Sequence, residues 1–194
     1  MKNSHIRLVP KESVSRAQVL RMAERACWEH YRTKDAPGGP PFEIIWVNSE
    51  QDAVVHWIED ALSQVDYFLV DGPGKSSLVK LIRSELDIHD KDSMVELAYE
   101  ARGTPRAMRM LRLLGVFCSE GFDPDIFSIF DQALRDPEPI VRREALMSAA
   151  NAGWGEFLPL MDEIRESDPD KAVREDAGAI SDALRRRLEA GRHS

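Results

Sequence analysis

The residues with the most chemical promise are Gly74, Lys75 and Ser76, inside the stretch GPGKSS at 72–77. They follow the apolar run Tyr67–Val70 and precede a helix-like pattern. Backbone N–H groups, an ammonium and a hydroxyl so placed could surround phosphate oxygens. A phosphate-binding loop of this kind also needs glycine at position 69, where the chain has Leu69, and no later apolar strand ends in an Asp for magnesium. The alternative is an exposed turn that caps a helix from Ser77. Two further pairs, Cys27 with His30 and His56 with Glu59, set two metal donors one helical turn apart. Zinc needs three or four. His5, His89 and His193 fall in expected loops or at an end, so neither a metal nor a cofactor is expected. Trp154 lies between Gly153 and Gly155 in the turn NAGWG, which makes it a candidate partner contact, with packing across the hairpin as the alternative. No Gly-x-Ser-x-Gly elbow occurs, and no cysteine has a histidine and an acid arranged around it. No catalytic residue is assigned, and the chain reads as a non-enzyme.

The elements that would position these residues read mainly as helices. Val14, Ala17, Leu20, Ala23, Cys27 and Tyr31 recur at threes and fours, predicting a helix over 13–32. DAPGGPP at 35–41 breaks it as a linker, and FEIIWV at 42–47 predicts a short strand. Ser49 and Asp52 look like a helix start, with Val54, Trp57, Ile58, Ala61, Leu62 and Val65 turned inward over 49–64. Residues 67–70 fit either a strand or a helix tail. SLVKLIRSEL and SMVELAYEA are further helical patterns. Beyond residue 104, helices are predicted from Pro105, from Asp123-Pro124, from Pro137 to about 152, over FLPLMDEIRES, and from Pro169 to about 190.

The strongest internal signal is a repeat. DPEPIVRREA at 136–145 returns as DPDKAVREDA at 168–177, a constant offset of 32 residues. Asp136 and Asp168, Pro137 and Pro169, Val141 and Val173, Arg142 and Arg174, and Ala145 and Ala177 are identical pairs. A fixed period of this size is the mark of stacked helical hairpins. Each Asp is read as an N-cap acceptor, each Pro as a first-turn residue, and each Val and Ala as facing the neighbouring repeat. The arginine can reach the Asp of an adjacent turn and tie the repeats together.

Residues 104–190 resemble the HEAT-repeat superfamily through this D-P-x-x-x-V-R-x-x-A core, carried by two close copies and one diverged copy at Pro105. The likeness implies scaffolds, adaptors and partner-binding subunits, with a distant group that binds damaged DNA. Tyr31, the Pro-rich loop and IIWVNS are similar, more loosely, to a segment of uncharacterised bacterial proteins, which implies no activity. The expected fold is therefore mostly α: a HEAT-like right-handed solenoid over 101–194, with an N-terminal helical cap over 1–100 containing at most one short strand or hairpin.

Composition bounds the function. Of 194 residues, 43% are hydrophobic and 31% charged, an ordinary globular balance. The net charge of −8 is uneven. Residues 35–100 hold 4 Lys/Arg against 14 Asp/Glu, whereas residues 1–34 hold 8 against 3. An acidic middle argues against nucleic acid and for a basic protein partner. Two distant cysteines and a start without a signal-peptide core suggest the cytoplasm, and no run is long enough for a membrane span. The leading expectation is a partner-docking scaffold, in its concrete version an immunity-type acidic neutraliser of a basic effector. The alternatives are a HEAT-like nucleic-acid or base-repair protein, and a nucleotide binder acting through GPGKSS.

Overall fold

A computed structural model describes residues 5–35, 41–118 and 121–191. The expected linker residues Pro37, Gly38, Gly39 and Pro40, and His193, lie outside the described residues. The chain divides into two compact units, residues 1–90 and 91–194. The division falls ten residues before the expected one.

The first unit contains β1 (Ile6–Leu8), α1 (Arg16–Arg25), β2 (Glu29–Lys34), β3 (Phe42–Val47), β4 (Val54–Asp60), β5 (Val65–Asp71) and α2 (Lys75–Glu85). Its five strands form one antiparallel sheet in the order β1-β5-β4-β3-β2. This overturns the expected helical cap with at most one strand or hairpin: the chain is α+β. The decisive segment is 49–64. Its apolar spacing fits a helix, but Val54-Val55-His56-Trp57-Ile58 is β-branched and aromatic, and turn chemistry closes both ends. Before β4, the Asn48 side-chain oxygen accepts from the N–H groups of Asp52 (3.0 Å) and Ala53 (2.9 Å). After β4, the Asp60 carboxylate accepts from Leu62 N–H (2.9 Å) and the Ser63 hydroxyl (2.8 Å). Leu62, expected inward, is 89% exposed at the hairpin tip.

The predicted helix over 13–32 is likewise halved. Ser15 and Gln18 form a reciprocal capping box for α1. The helix stops at Arg25, Cys27 turns the chain with φ of 53°, and the polar run Glu29–Lys34 becomes the edge strand β2. One sheet face presents Ile44, Trp46, Val55, Trp57, Phe68 and Val70 to Val19 and Met22 of α1 and Leu78 and Ile82 of α2. Trp57 and Phe68, directly opposite each other, have ring centroids 4.7 Å apart.

The second unit is helical: α3 (Lys91–Ala101), α4 (Ala107–Phe117), α5 (Pro124–Leu134), α6 (Pro139–Ala152), α7 (Leu158–Ser167, entered through a 3-10 turn at Gly155–Phe157) and α8 (Lys171–Ala190). Consecutive helices pack as the pairs α3/α4, α5/α6 and α7/α8, and α4, α6 and α8 lie side by side. A continuous core runs through all six helices, including Met94, Leu114, Phe130, Leu146, Met161 and Val173. Gly115 allows a close approach between α4 and α6: a Cβ there would stand 2.5 Å from the Ser148 carbonyl oxygen. No helix among the described residues is long and apolar enough to cross a membrane.

Candidate partner-binding edge

The repeated motif marks the entries to α6 and α8, one residue type at a time. Ala145, Val173 and Ala177 are fully buried, and Val141 is half-buried against the same core. The Asp-Pro pairs are not helix caps, however. Asp136 accepts from Glu138 N–H (2.9 Å) and Asp168 from Asp170 N–H (2.8 Å), so each forms a tight turn just outside its helix. The helices begin at Pro139 and Lys171, with Glu138 and Asp170 in the cap positions, which leaves Pro137 and Pro169 in the loops. The pattern Asp-Pro does cap α5, where Asp123 accepts from Asp125 and Ile126 N–H ahead of Pro124.

The arginines act on these turns. Arg142 Nη1 donates to the carbonyls of Asp136 (2.8 Å) and Pro137 (3.0 Å), and Arg174 Nη1 donates to those of Asp168 (2.5 Å) and Pro169 (3.2 Å). Arg142 goes further. Its Nε and Nη2 both reach the Asp168 carboxylate at 2.7 Å, fastening the α5–α6 loop to the α7–α8 loop. These two side chains are only 7% and 5% exposed. The bidentate bond from Arg142 holds the Asp168 carboxyl below the usual carboxylate range, and the same bond keeps Arg142 charged.

Around this latch the interhelical loops form an edge with two neighbouring grooves. The larger, about 330 Å³, runs between the α5–α6 and α7–α8 loops, with Leu134, Leu160 and Ile164 among its apolar lining and the Arg142–Asp168 pair in its wall. The smaller, about 130 Å³, lies between the α3–α4 and α5–α6 loops and includes Tyr99, Met110, Leu111 and Ile129. Arg135, Asp136 and Pro137 border both and form the ridge between them. On the rim of the larger groove, Arg135 donates through Nε to Asp131 (3.1 Å) and through Nη1 and Nη2 to the two Glu163 oxygens (3.4 and 3.5 Å). Sequence reasoning passed over these three residues. The i,i+4 spacing of Asp131 and Arg135 was the available signal.

The other candidate residues end up elsewhere. Gly74 precedes α2, but a Cβ on it would lie 2.0 Å from the Asp52 carboxylate, so an anion already stands against Gly74 at the start of the candidate loop. A phosphate would meet like charge there, and the strand leading into the turn belongs to an antiparallel sheet rather than a parallel one. His56 and Glu59, three apart on a strand, point to opposite faces. His56 Nδ1 pairs with Glu43 (2.5 Å), while Glu59 receives Arg16 through two bonds (2.6 and 2.8 Å) and the Trp57 indole N–H (3.1 Å). His30 Nε2 bonds the Thr33 hydroxyl (2.9 Å) rather than sharing a ligand with Cys27. Among the described residues no group of three or more His, Cys, Asp or Glu is placed to hold a metal.

Trp154 is 7% exposed, so it is not the partner contact considered above. It stacks on Phe157 (5.7 Å, 9° between planes) and meets Phe122 edge-on (5.5 Å), joining a ring cluster that continues to Phe127 and Phe130. Comparisons with family models, with curated proteins and with solved structures each find no match.

Proposed function

We propose that the chain is a non-catalytic interaction module and that its helical unit, a short stack of HEAT type, docks a protein along the edge made by its α3–α4, α5–α6 and α7–α8 loops. The observation that carries this reading is the pair of apolar-lined grooves side by side on that edge. Successive loops repeat at a near-constant spacing, so the edge offers a row of similar sites to an extended segment of a partner. Arg142 and Asp168 hold two of these loops in fixed register, which reduces the ordering cost of binding.

The partner is a basic protein, and the concrete version is an effector that this chain neutralises. Residues 91–194 hold 15 Lys/Arg against 20 Asp/Glu, a net of −5, and the α5–α6 and α7–α8 loops carry Asp136, Glu138, Asp168 and Asp170. Complementary charge of this kind speeds encounter and fixes register. The test is capture of a partner with the full chain and with a Glu138→Lys variant. Glu138 is exposed on the loop edge and its side chain makes no cap hydrogen bond. The expected result is a protein held by the parent and lost from the variant, with an unchanged melting temperature and with parent binding that weakens as salt rises. Equal capture by both chains would refute the assignment of the edge, and salt-independent capture would refute the basic partner.

A further inference from the structure

Resting on that reading, we infer that the larger groove takes an arginine side chain of the partner, and that Arg135 holds the place of that arginine in the free protein. Arg135 lines the larger groove. Its guanidinium bridges a carboxylate on α5, Asp131, and one on α7, Glu163, using three separate N–H donors. The two acids are thus already spaced to accept one planar fork, a geometry a lysine ammonium cannot reproduce. Below them the lining of Leu134, Leu160 and Ile164 suits the methylene stem of an incoming arginine.

The resident bond is loose and wet. The Arg135–Glu163 distances are 3.4 and 3.5 Å and both side chains are 55% exposed, so exchanging one guanidinium for another costs little. Arg135 also borders the smaller groove, which gives its displaced side chain a place to go. Within the groove lining, Arg142 occupies both Asp168 oxygens, so that carboxylate does not compete for the guest. The groove lining as a whole holds Asp131, Asp136, Glu163 and Asp168 against Arg135 and Arg142, an excess of two negative charges that becomes three when Arg135 swings aside.

The test uses the full chain, N-acetylargininamide as probe, and the methyl NMR signals of Leu160 and Ile164 as readout. Arg135→Ala vacates the groove and is expected to bind the probe at least about tenfold more tightly than the parent. Adding Asp131→Asn and Glu163→Gln to that variant is expected to abolish the effect. N-acetylcitrullinamide, isosteric and uncharged, is expected to leave the methyl signals in place, and N-acetyllysinamide to bind more weakly than the arginine probe. Absence of tighter binding in Arg135→Ala, or tightening that persists without the two carboxylates, overturns the inference. Because the probe needs no macromolecular partner, the two readings fail separately. Arginine binding with unchanged partner capture on loop-edge substitution sinks the docking edge alone. Partner loss without arginine binding sinks the guest alone.

Discussion

The two units of this chain solve the problem of holding neighbours together in different ways. In the sheet unit, adjacent strands are joined by backbone hydrogen bonds and by facing rings and branched side chains, such as Trp57 on Phe68 and Ile44 opposite Trp57. Its charged pairs, including Arg16 with Glu59, sit at the margin of that core. In the helical unit, backbone bonds stay within each helix, so every step from one pair to the next needs side chains. Lys91 reaches Asp123, Arg112 reaches Glu144, Arg142 reaches Asp168 and Arg143 reaches Asp176. Three of these four links span 32 or 33 residues. Periodic folding thus turns a sequence repeat into a ladder of ion pairs, whereas the sheet leaves no comparable trace at fixed spacing.

Removing one rung should separate the units most clearly. Arg142→Ala leaves a buried Asp168 carboxylate unpaired and is expected to cost about 3–5 kcal/mol, read as a lower denaturation midpoint of the helical unit alone. Arg142→Met with Asp168→Leu should recover most of that loss. Asp168 titrates below its unfolded value, so its contribution is complete above about pH 4 and disappears as pH falls through the lower folded value. An acid limb of the stability curve that survives in the double variant would contradict this assignment.

Backbone approach gives the next contrast. Gly72 has φ of 106°, and a Cβ there would lie 2.5 Å from the Asp52 carbonyl oxygen, so Gly72→Ala should cost the sheet unit about 1–3 kcal/mol. Gly115→Ala should destabilise the helical unit even though alanine favours a helix by about 1 kcal/mol, because the Ser148 carbonyl leaves no room. Urea unfolding of each variant measures both, and a stabilised Gly115→Ala would show that α4 and α6 can separate freely.

Mild acid should act on the sheet unit first. His89 is 6% exposed, its Nδ1 has no hydrogen-bond partner among the described residues, and burial, aided by Lys11 and opposed by Asp87 and Asp90, lowers its pKa. The folded state therefore favours the neutral ring. Its contribution is complete above about pH 6.5 and is lost as pH falls from there toward the folded value. His89→Gln should flatten the melting temperature between pH 7 and 5, and an unchanged slope would assign it to other groups. The smallest effect belongs to a partly exposed rung: Arg112→Ala should cost about 1 kcal/mol or less by double-mutant cycle with Glu144.

The same contrast explains what could be read from the chain in advance. Residues 91–190 declare their helices because apolar periodicity, Asp123-Pro124 and the 32-residue copy agree with one another. Residues 49–64 satisfy two periods at once, and Asn48 and Asp60 close turns with the side-chain chemistry that also caps helices. Residues 29–34 are polar throughout, as an exposed edge strand is, and so carry no alternation to detect. At the candidate edge, the arginine reaching an adjacent turn is visible in the motif. The grooves are not, since Leu160, Ile164 and Glu163 come into place only when α7 folds beside α5.

The four tryptophans are distributed unequally: Trp28, Trp46 and Trp57 are in the sheet unit and Trp154 alone is in the helical unit, all shielded from solvent. Replacing Trp154 with phenylalanine would leave an emission signal that comes from the sheet alone, while a chain keeping only Trp154 would report on the helices. Intrinsic fluorescence can therefore time the unfolding of each half separately, with no attached dye.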